Sequence, residues 1–153
     1  MVRVQAEVFD VGVELARFTA GRTDIGAVAS FTGLVRDRHD GEIVTAMTLE
    51  HYPGMTEREL KRIEAEARAR WPLDDCLIVH RYGRMLPGEP IVLVLTASAH
   101  RAAAFEACAF LMDWLKTRAP FWKLEETSEG ERWVEARASD DEAAARWGAE
   151  GAG

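Results

Sequence analysis

Two lysines flank a short apolar turn in the last third of the chain. The segment LKTRAPFWKLE, residues 115–125, places Lys116 and Lys123 on either side of Pro120 and two adjacent aromatic residues. The chain contains 19 lysine and arginine residues, of which only Lys61, Lys116 and Lys123 are lysine. Arginine stays protonated in proteins, whereas lysine can release its proton when its surroundings lower its pKa. This turn is therefore a candidate site of proton transfer.

The predicted elements around the turn leave two roles open for the lysines. Lys116 falls in the last turn of a helix predicted from about residue 100 to 118, where a positive charge also stabilises the negative end of the helix dipole. On the predicted strand 121–126, Lys123 shares a face with Phe121, and we expect the aromatic residues and Pro120 to shield its ammonium group from water. Burial and neighbouring cations both lower the pKa of a lysine. The pair is thus either structural or able to exchange protons.

Three further cationic residues lie at the ends of predicted elements. His100 and Arg101 stand where a strand leads into the long helix, so free backbone N–H groups, an imidazole and a guanidinium converge there. Arg36 ends a buried strand predicted for residues 26–36 and stands at the mouth of a polar loop. We interpret these positions as candidate anion ligands, with surface ion pairing as the alternative.

Composition and motifs argue against several classes of function. The net charge of -7 and the pI of about 5.1, without a basic stripe, argue against a nucleic-acid partner. The chain has no GxxxxGK[ST] loop, no strand-linked GxGxxG, no HExxH and no GxSxG. Its four histidines show no metal-ligand spacing, so we expect no metal. His51 and His80 lie in predicted strands and are interpreted as structural.

The sequence also predicts a cytoplasmic protein without a membrane segment. No apolar run approaches the roughly 18 residues that a spanning helix needs. The N-terminal segment MVRVQAEVFD lacks the apolar region and cleavage site of a secretory signal. Cys76 and Cys108, 32 residues apart and without a CxxC pattern, are expected to be reduced core thiols.

Hydrophobic periodicity predicts an α+β fold in a single domain spanning residues 1–153. The strand signals cover residues 2–9, 26–36, 43–52, 76–83, 90–98, 121–126 and 132–136. The helix signals cover residues 10–19, about 53–72, about 100–118 and a short segment near the C-terminus. Hairpins mixed with longer crossovers favour α+β over strictly alternating α/β.

Turn and cap residues give finer predictions. The strands 26–36 and 43–52 are expected to be antiparallel neighbours, joined through an Asp40-Gly41 turn in a loop longer than two residues. Thr56 with Glu59 forms a capping-box pattern at the start of the second helix. A second such pattern, Ser139 with Glu142, opens the final helix.

Several long segments of the chain resemble the catalytic, large subunit of molybdopterin synthase. The likeness runs in order from about residue 26 to residue 147, and residues 1–25 and 148–153 carry no motif. The segments are FTGLVRDRHDG, TLEHYPGMTERELKRI, HRYGRMLPGEP, SAHRAAAFEACAFLMDWLKTRAPFWKLE and WVEARASDDEAAARW.

This resemblance implies a sulfurtransferase of molybdenum cofactor biosynthesis. Such a subunit converts cyclic pyranopterin monophosphate to molybdopterin by inserting two dithiolene sulfurs. A small ubiquitin-like partner supplies the sulfur as a C-terminal thiocarboxylate, so no separate cofactor is expected. The large subunits pair, and one small subunit docks at each end to give a heterotetramer. The implied fold is an α/β-hammerhead core with an added α+β hairpin subdomain.

The resemblance also assigns roles to individual residues. Lys116 and Lys123 match the catalytic lysines of the family. Arg137 is expected to reach the site of the neighbouring protomer, and the DRHD loop receives no role. The residues expected to contact the substrate are Leu34, Val35, Arg36, His100, Arg101, Lys116, Lys123, Leu124 and Glu125.

Three other functions remain open at this point. A binding module that docks an acidic tail or a phosphorylated ligand would explain the anion site, but it gives no reason for lysine over arginine. Either lysine could form a Schiff base with a carbonyl substrate. Cys108 could carry sulfur, although its place on the apolar stripe of the long helix favours packing.

Overall fold

The computed structural model describes residues 1–134, 142–145 and 147–148. Its helices are α1 (Val11–Thr19), α2 (Met55–Arg70) and α3 (Arg101–Thr117), and residues 142–145 and 147–148 are also helical. Its strands are β1 (Val2–Gln5), β2 (Ala27–Leu34), β3 (Arg38–His39), β4 (Glu42–His51), β5 (Asp75–Arg81), β6 (Gly83–Met85), β7 (Pro90–Ser98), β8 (Phe121–Thr127) and β9 (Gly130–Val134). The predicted α+β class is confirmed.

The central sheet contains β1, β5, β7 and β2 in that order, with β1 parallel to β5 and the other pairs antiparallel. Both faces of this sheet are covered. Cys76 and Ile78 of β5 pack in one core with residues of α2 and α3, whereas Leu77 and Val79 pack in a second core against Phe18 of α1. Burial on both faces explains why β5 and β7 are continuous apolar runs and do not alternate.

A second sheet forms beside the first. It contains β3, β4, β8 and β9 in that order, and β6 pairs with β4. Val35, Met47, Leu49 and Met85 form a small separate core under it. The predicted hairpin of the last two strands is confirmed, with a two-residue turn between Thr127 and Gly130.

The predicted pairing of the strands near residues 26–36 and 43–52 is wrong. Ala27 of β2 lies opposite Ser98 of β7, and β4 pairs instead with β8, so the two strands belong to different sheets. Neighbours in sequence do not pair here because β7, which is buried along most of its length, is the partner of β2. This contact joins distant parts of the chain and is not encoded by local patterns.

The loop between β2 and β4 holds a tighter turn than expected. His39 lies opposite Glu42, so Asp40 and Gly41 alone connect β3 to β4. Both residues have positive φ, 51° and 80°, as a two-residue hairpin of this type requires. The Asp-Gly signal was therefore correct, and the estimate of a longer loop was wrong.

The predicted Thr56–Glu59 capping box is also wrong. Gly54 is the N-cap of α2, with a φ of 85°, and its N–H donates to the Glu57 carboxylate at 2.7 Å. Thr56 lies inside the first turn, fully buried, and its hydroxyl donates to the Tyr52 carbonyl oxygen at 2.8 Å. A glycine with positive φ begins the helix two residues earlier than the threonine pattern indicated.

Other boundaries follow the sequence more closely. The Asp10 carboxylate accepts a hydrogen bond from the Val13 N–H at 2.9 Å and caps α1 as expected. The first strand is shorter than predicted and ends at Gln5. Part of the predicted final helix is helical at residues 142–145 and 147–148, whereas Ser139 and Arg137 lie outside the described residues.

No helix in the described ranges combines the length and the apolar character that crossing a lipid bilayer would demand.

Candidate active site

The turn that separates the two lysines is short and well bonded. The Arg118 N–H donates to the Trp114 carbonyl oxygen at 2.7 Å and ends α3, and the Phe121 N–H donates to the Ala119 carbonyl oxygen at 2.8 Å where β8 begins. Pro120 lies between them, with no N–H to continue the helix. Three residues thus reverse the chain from helix to strand, which allows Lys116 and Lys123 to reach one space.

That space is a cavity of about 490 Å³ between α3, β8, the end of β2 and the β3 hairpin. Its volume lies within the range of about 300 to 1,000 Å³ typical of small-molecule sites. Met112 and Leu115 of α3 and Ile91 and Val92 of β7 form an apolar side. The cavity is large enough for a bicyclic ligand and has both apolar and charged walls.

Positive charge dominates the described lining of the cavity. Arg36, Arg38, Lys116 and Lys123 contribute four cationic side chains, and Glu125 contributes the one carboxylate among the described lining residues. This excess occurs in a chain whose net charge is -7. Concentrated cations in a concave, partly apolar space favour an anionic ligand.

The carboxylate of Glu125 is already held by other side chains. Its Oε1 atom lies 2.7 Å from His39 Nδ1 and accepts from Arg132 Nε at 3.3 Å. Arg132 also donates to the His39 carbonyl oxygen at 3.0 Å and pairs with Glu42 at 2.8 Å. This cluster ties β8, β9 and the β3–β4 hairpin together at one edge of the cavity and neutralises its carboxylate.

His80 is a buried member of the cavity wall. Its ring stacks on that of Phe121, with 3.8 Å between the ring centroids and 15° between their planes, and its Nδ1 lies 2.9 Å from the Arg81 carbonyl oxygen. Burial is the main cause that lowers the pKa of His80, to about 4, and the charges of Lys116 and Lys123 lower it further. The imidazole is therefore neutral at physiological pH.

The structure brings together most, but not all, of the residues predicted for the site. Leu34, Val35, Arg36, Lys116, Lys123 and Glu125 line the cavity. Leu124 is not among the lining residues. His100 and Arg101 are exposed at the far end of α3, about 24 Å along the helix from Lys116. Arg137 lies outside the described residues.

Sequence reasoning missed three polar residues of this region. Arg38 and His39 line the cavity although their loop received no role, and His80 lines it although it was interpreted as structural. The Asp40-Gly41 turn signal could have drawn attention to the loop, since it folds back beside β4. For His80 the sequence gives no signal, because its position depends on how the two sheets meet.

The two cysteines lie outside the cavity. Cys76 and Cys108 are buried and free, and neither lines the cavity. Burial raises the pKa of Cys76 to about 12 and that of Cys108 to about 11, which leaves both thiols protonated and poorly nucleophilic. A sulfur-carrier role for Cys108 has no support in this arrangement.

Known proteins are similar to this chain in sequence and in fold. Residues 4–118 match the model of the family described as MoaE protein. The molybdopterin synthase catalytic subunit of Pseudomonas aeruginosa is 61% identical over 146 residues, which covers 95% of this chain and 97% of the relative. The solved molybdopterin biosynthesis MoaE protein of Burkholderia ambifaria superimposes with a TM-score of 0.82 at 55% identity, covering 97% of each chain.

A more distant solved structure shows the same fold. It is a protein–protein complex of subunits 1 and 2 of molybdopterin-converting factor from Helicobacter pylori, with a TM-score of 0.74 and 19% identity, covering 89% of this chain and 91% of that one. The family match spans most of the chain and the close relatives agree in name over nearly their full length. The chain therefore belongs to the MoaE family of molybdopterin synthase catalytic subunits.

Proposed function

We propose that this chain converts cyclic pyranopterin monophosphate to molybdopterin by inserting two dithiolene sulfurs. The sulfur donor in this proposal is the C-terminal thiocarboxylate of a small ubiquitin-like partner subunit. The observation that carries the proposal is the convergence of Arg36, which follows β2, with Lys116 and Lys123, on either side of the α3–β8 turn, on one cavity of about 490 Å³. Such a cavity suits a phosphorylated substrate with a fused ring system.

In the proposed chemistry this chain does not supply the nucleophile. A thiocarboxylate is already a nucleophile, so the subunit needs no cysteine. It must hold an anionic substrate, protonate departing oxygen and stabilise charge on the acyl-bearing intermediate. Lys116 takes the central acid–base or charge-stabilising role, and Lys123 supports it and orients the substrate.

In this proposal the residues around the lysines bind the substrate. Arg36 is the proposed phosphate ligand, since a guanidinium offers paired donors to phosphate oxygens. Leu34 and Val35, beside Arg36, and Glu125, on β8 near Lys123, contribute partly through their backbone groups. Leu124 lies outside the cavity lining and has no direct contact in this proposal. No metal or other cofactor enters the proposed reaction.

Two kinds of partner belong to the proposal. The Helicobacter pylori neighbour is a complex of two subunits, which supports a small sulfur-carrying partner for this chain. We also propose that two copies of the chain pair, giving a heterotetramer with two small subunits in the cytoplasm. Because His100 and Arg101 lie far from their own cavity, they and Arg137 would act in the cavity of the other copy.

Reconstitution tests the function directly. The purified chain is mixed with the thiocarboxylated partner and cyclic pyranopterin monophosphate, and the dithiolene product is measured. The same mixture with an unmodified carboxylate partner is the control. Product only with the thiocarboxylate supports the proposal, and absence of product with both donors refutes it.

The same mixture separates the competing functions. A Schiff base on Lys116 or Lys123 would be trapped by borohydride as a stable substrate adduct, detectable by mass spectrometry. A binding module would retain the phosphorylated ligand without turning it over. Dithiolene formation without a trapped adduct excludes both alternatives.

A further inference from the structure

We propose that His80 is a positioning residue of the cavity: the lone pair of its Nε2 atom accepts a hydrogen bond from the ammonium group of Lys116 or Lys123 and orients that lysine toward the substrate. The inference rests on the proposed sulfur transfer, because it assigns His80 a part in the same reaction. It adds a residue that neither the sequence motifs nor the family likeness supplied.

The hydrogen bonding of His80 defines its tautomer. Nδ1 lies 2.9 Å from the Arg81 carbonyl oxygen. A carbonyl oxygen can only accept, so Nδ1 carries the proton. The buried ring is neutral at physiological pH. Nε2 therefore presents an unshared electron pair and can act only as an acceptor.

The ring of His80 is held in the cavity wall beside the two lysines. His80 lies on β5, its ring is fixed by stacking on Phe121, and it forms part of the wall shared by Lys116 and Lys123. The charges of Lys116 and Lys123 also lower the pKa of His80, which indicates that both ammonium groups lie near this ring. A lysine of the same cavity wall is therefore a suitable donor to Nε2.

A neutral acceptor suits this task better than a carboxylate. A carboxylate beside the lysines would pair with them and hold them in the charged form, and it would repel the substrate phosphate. The carboxylate that lines the cavity, Glu125, is instead engaged by His39 and Arg132. An imidazole lone pair can orient an N–H without adding negative charge to the site.

Two substitutions distinguish the roles of the two ring nitrogens of His80. His80→Asn retains an amide donor near the place of Nδ1, and His80→Gln retains an amide oxygen near the place of Nε2. We expect His80→Gln to keep kcat within about threefold of the unchanged protein and His80→Asn to lose about a hundredfold in kcat with little change in KM, because a misplaced catalytic group costs about that much. Rates are normalised to the folded fraction, measured by circular dichroism.

The outcomes are decisive in each direction. Equal rates in the two variants, or a faster His80→Asn, overturn the inference and leave His80 a structural residue. The unchanged protein is assayed alongside, so failure of the proposed function appears separately as a lack of dithiolene product in that sample. A second measurement needs no substitution: ¹⁵N NMR of the histidine rings at pH 7 should show an unprotonated Nε2 for His80, and a protonated Nε2 would also overturn the inference.

Discussion

The two ends of α3 both carry residues predicted for the site, but their surroundings differ. At the C-terminal end, Lys116 faces a cavity that β2, β7, β8 and the β3 hairpin enclose. At the N-terminal end, His100 and Arg101 are exposed, and the N-cap residue His100 makes no side-chain capping bond. One end is a site complete enough to hold a ligand, whereas the other is an open charged turn.

This difference arises because α3 is a rigid helix that keeps the residues at its two ends apart. The helix holds its two ends about 24 Å apart, and its buried face, which includes Phe110 and Leu111, packs into the main core. Bending the helix to bring the ends together would disrupt that core. The N-terminal cations can therefore serve the proposed reaction only in another copy of the chain.

The largest expected effect comes from removing the amine at the cavity end. Lys116→Ala should lower dithiolene formation by at least about a hundredfold, because general acid–base groups contribute about 10² to 10⁴ in rate. The measurement is single-turnover sulfur transfer with the thiocarboxylated partner. Lys61→Ala is the matched control, since Lys61 is exposed on α2 and does not line the cavity.

The arginine variant of the same residue sharpens this result. Lys116→Arg preserves the charge but cannot exchange protons, so it should remain as slow as Lys116→Ala within about tenfold if proton transfer limits the rate. Substantial activity in Lys116→Arg would assign a purely electrostatic role. Full turnover by Lys116→Ala would remove the catalytic assignment.

The next effect concerns the buried imidazole at the cavity end. The folded-state pKa of His80 is about 4, below its ordinary value of 6.5. As the pH falls below 6.5 the unfolded state takes up the proton first, so His80 lowers the free energy of unfolding progressively down to about pH 4, by about 3 kcal/mol in total. Urea unfolding at pH 7 and pH 4 measures this loss.

A variant isolates that contribution from other groups that titrate in the same range. His80→Gln should lose less stability between pH 7 and pH 4 than the unchanged protein, by about the same 3 kcal/mol. Parallel pH dependence in the two proteins would show that His80 titrates normally and is not a buried neutral base.

A smaller effect is expected at the N-terminal end of α3. Arg101→Ala should raise KM for the cyclic monophosphate by about tenfold, the value of roughly one charge-assisted hydrogen bond, with a lesser change in kcat. Because the proposal places Arg101 in the other copy, co-expressed Arg101→Ala and Lys116→Ala chains should form mixed dimers with one intact cavity. At low substrate, the mixture should be faster than the sum of the separate variants, and simple additivity would contradict a shared site.

The smallest effect tests the edge of the cavity. Arg132→Gln removes the ties to Glu125 and Glu42 and should lower the free energy of unfolding by about 1 kcal/mol, since these pairs are only partly buried. Arg84→Gln is the matched control, because Arg84 pairs with Glu126 on the exposed side and should cost almost nothing. Equal losses in the two variants would mean that the Arg132 cluster is an ordinary surface network.

Much of the local structure was readable from the sequence. The Asp10 cap, the extent of α3 and the final hairpin of β8 and β9 follow from capping residues, helical periodicity and turn chemistry. These signals are short-range, so each depends on a few adjacent residues. The start of α2 was misread because a glycine with positive φ and a nearby threonine give competing cap signals.

The sequence by itself determined that two scarce lysines flank a tight helix-to-strand turn, and this follows from residue identity and from the proline between them. The tertiary structure alone decided that β2 pairs with β7, that His80 and the β3 hairpin join the lysines at one cavity, and that Arg101 lies at the other end of α3. The reason is physical: turns and helix ends depend on neighbouring residues, whereas strand pairing and cavity walls depend on which distant apolar faces bury each other.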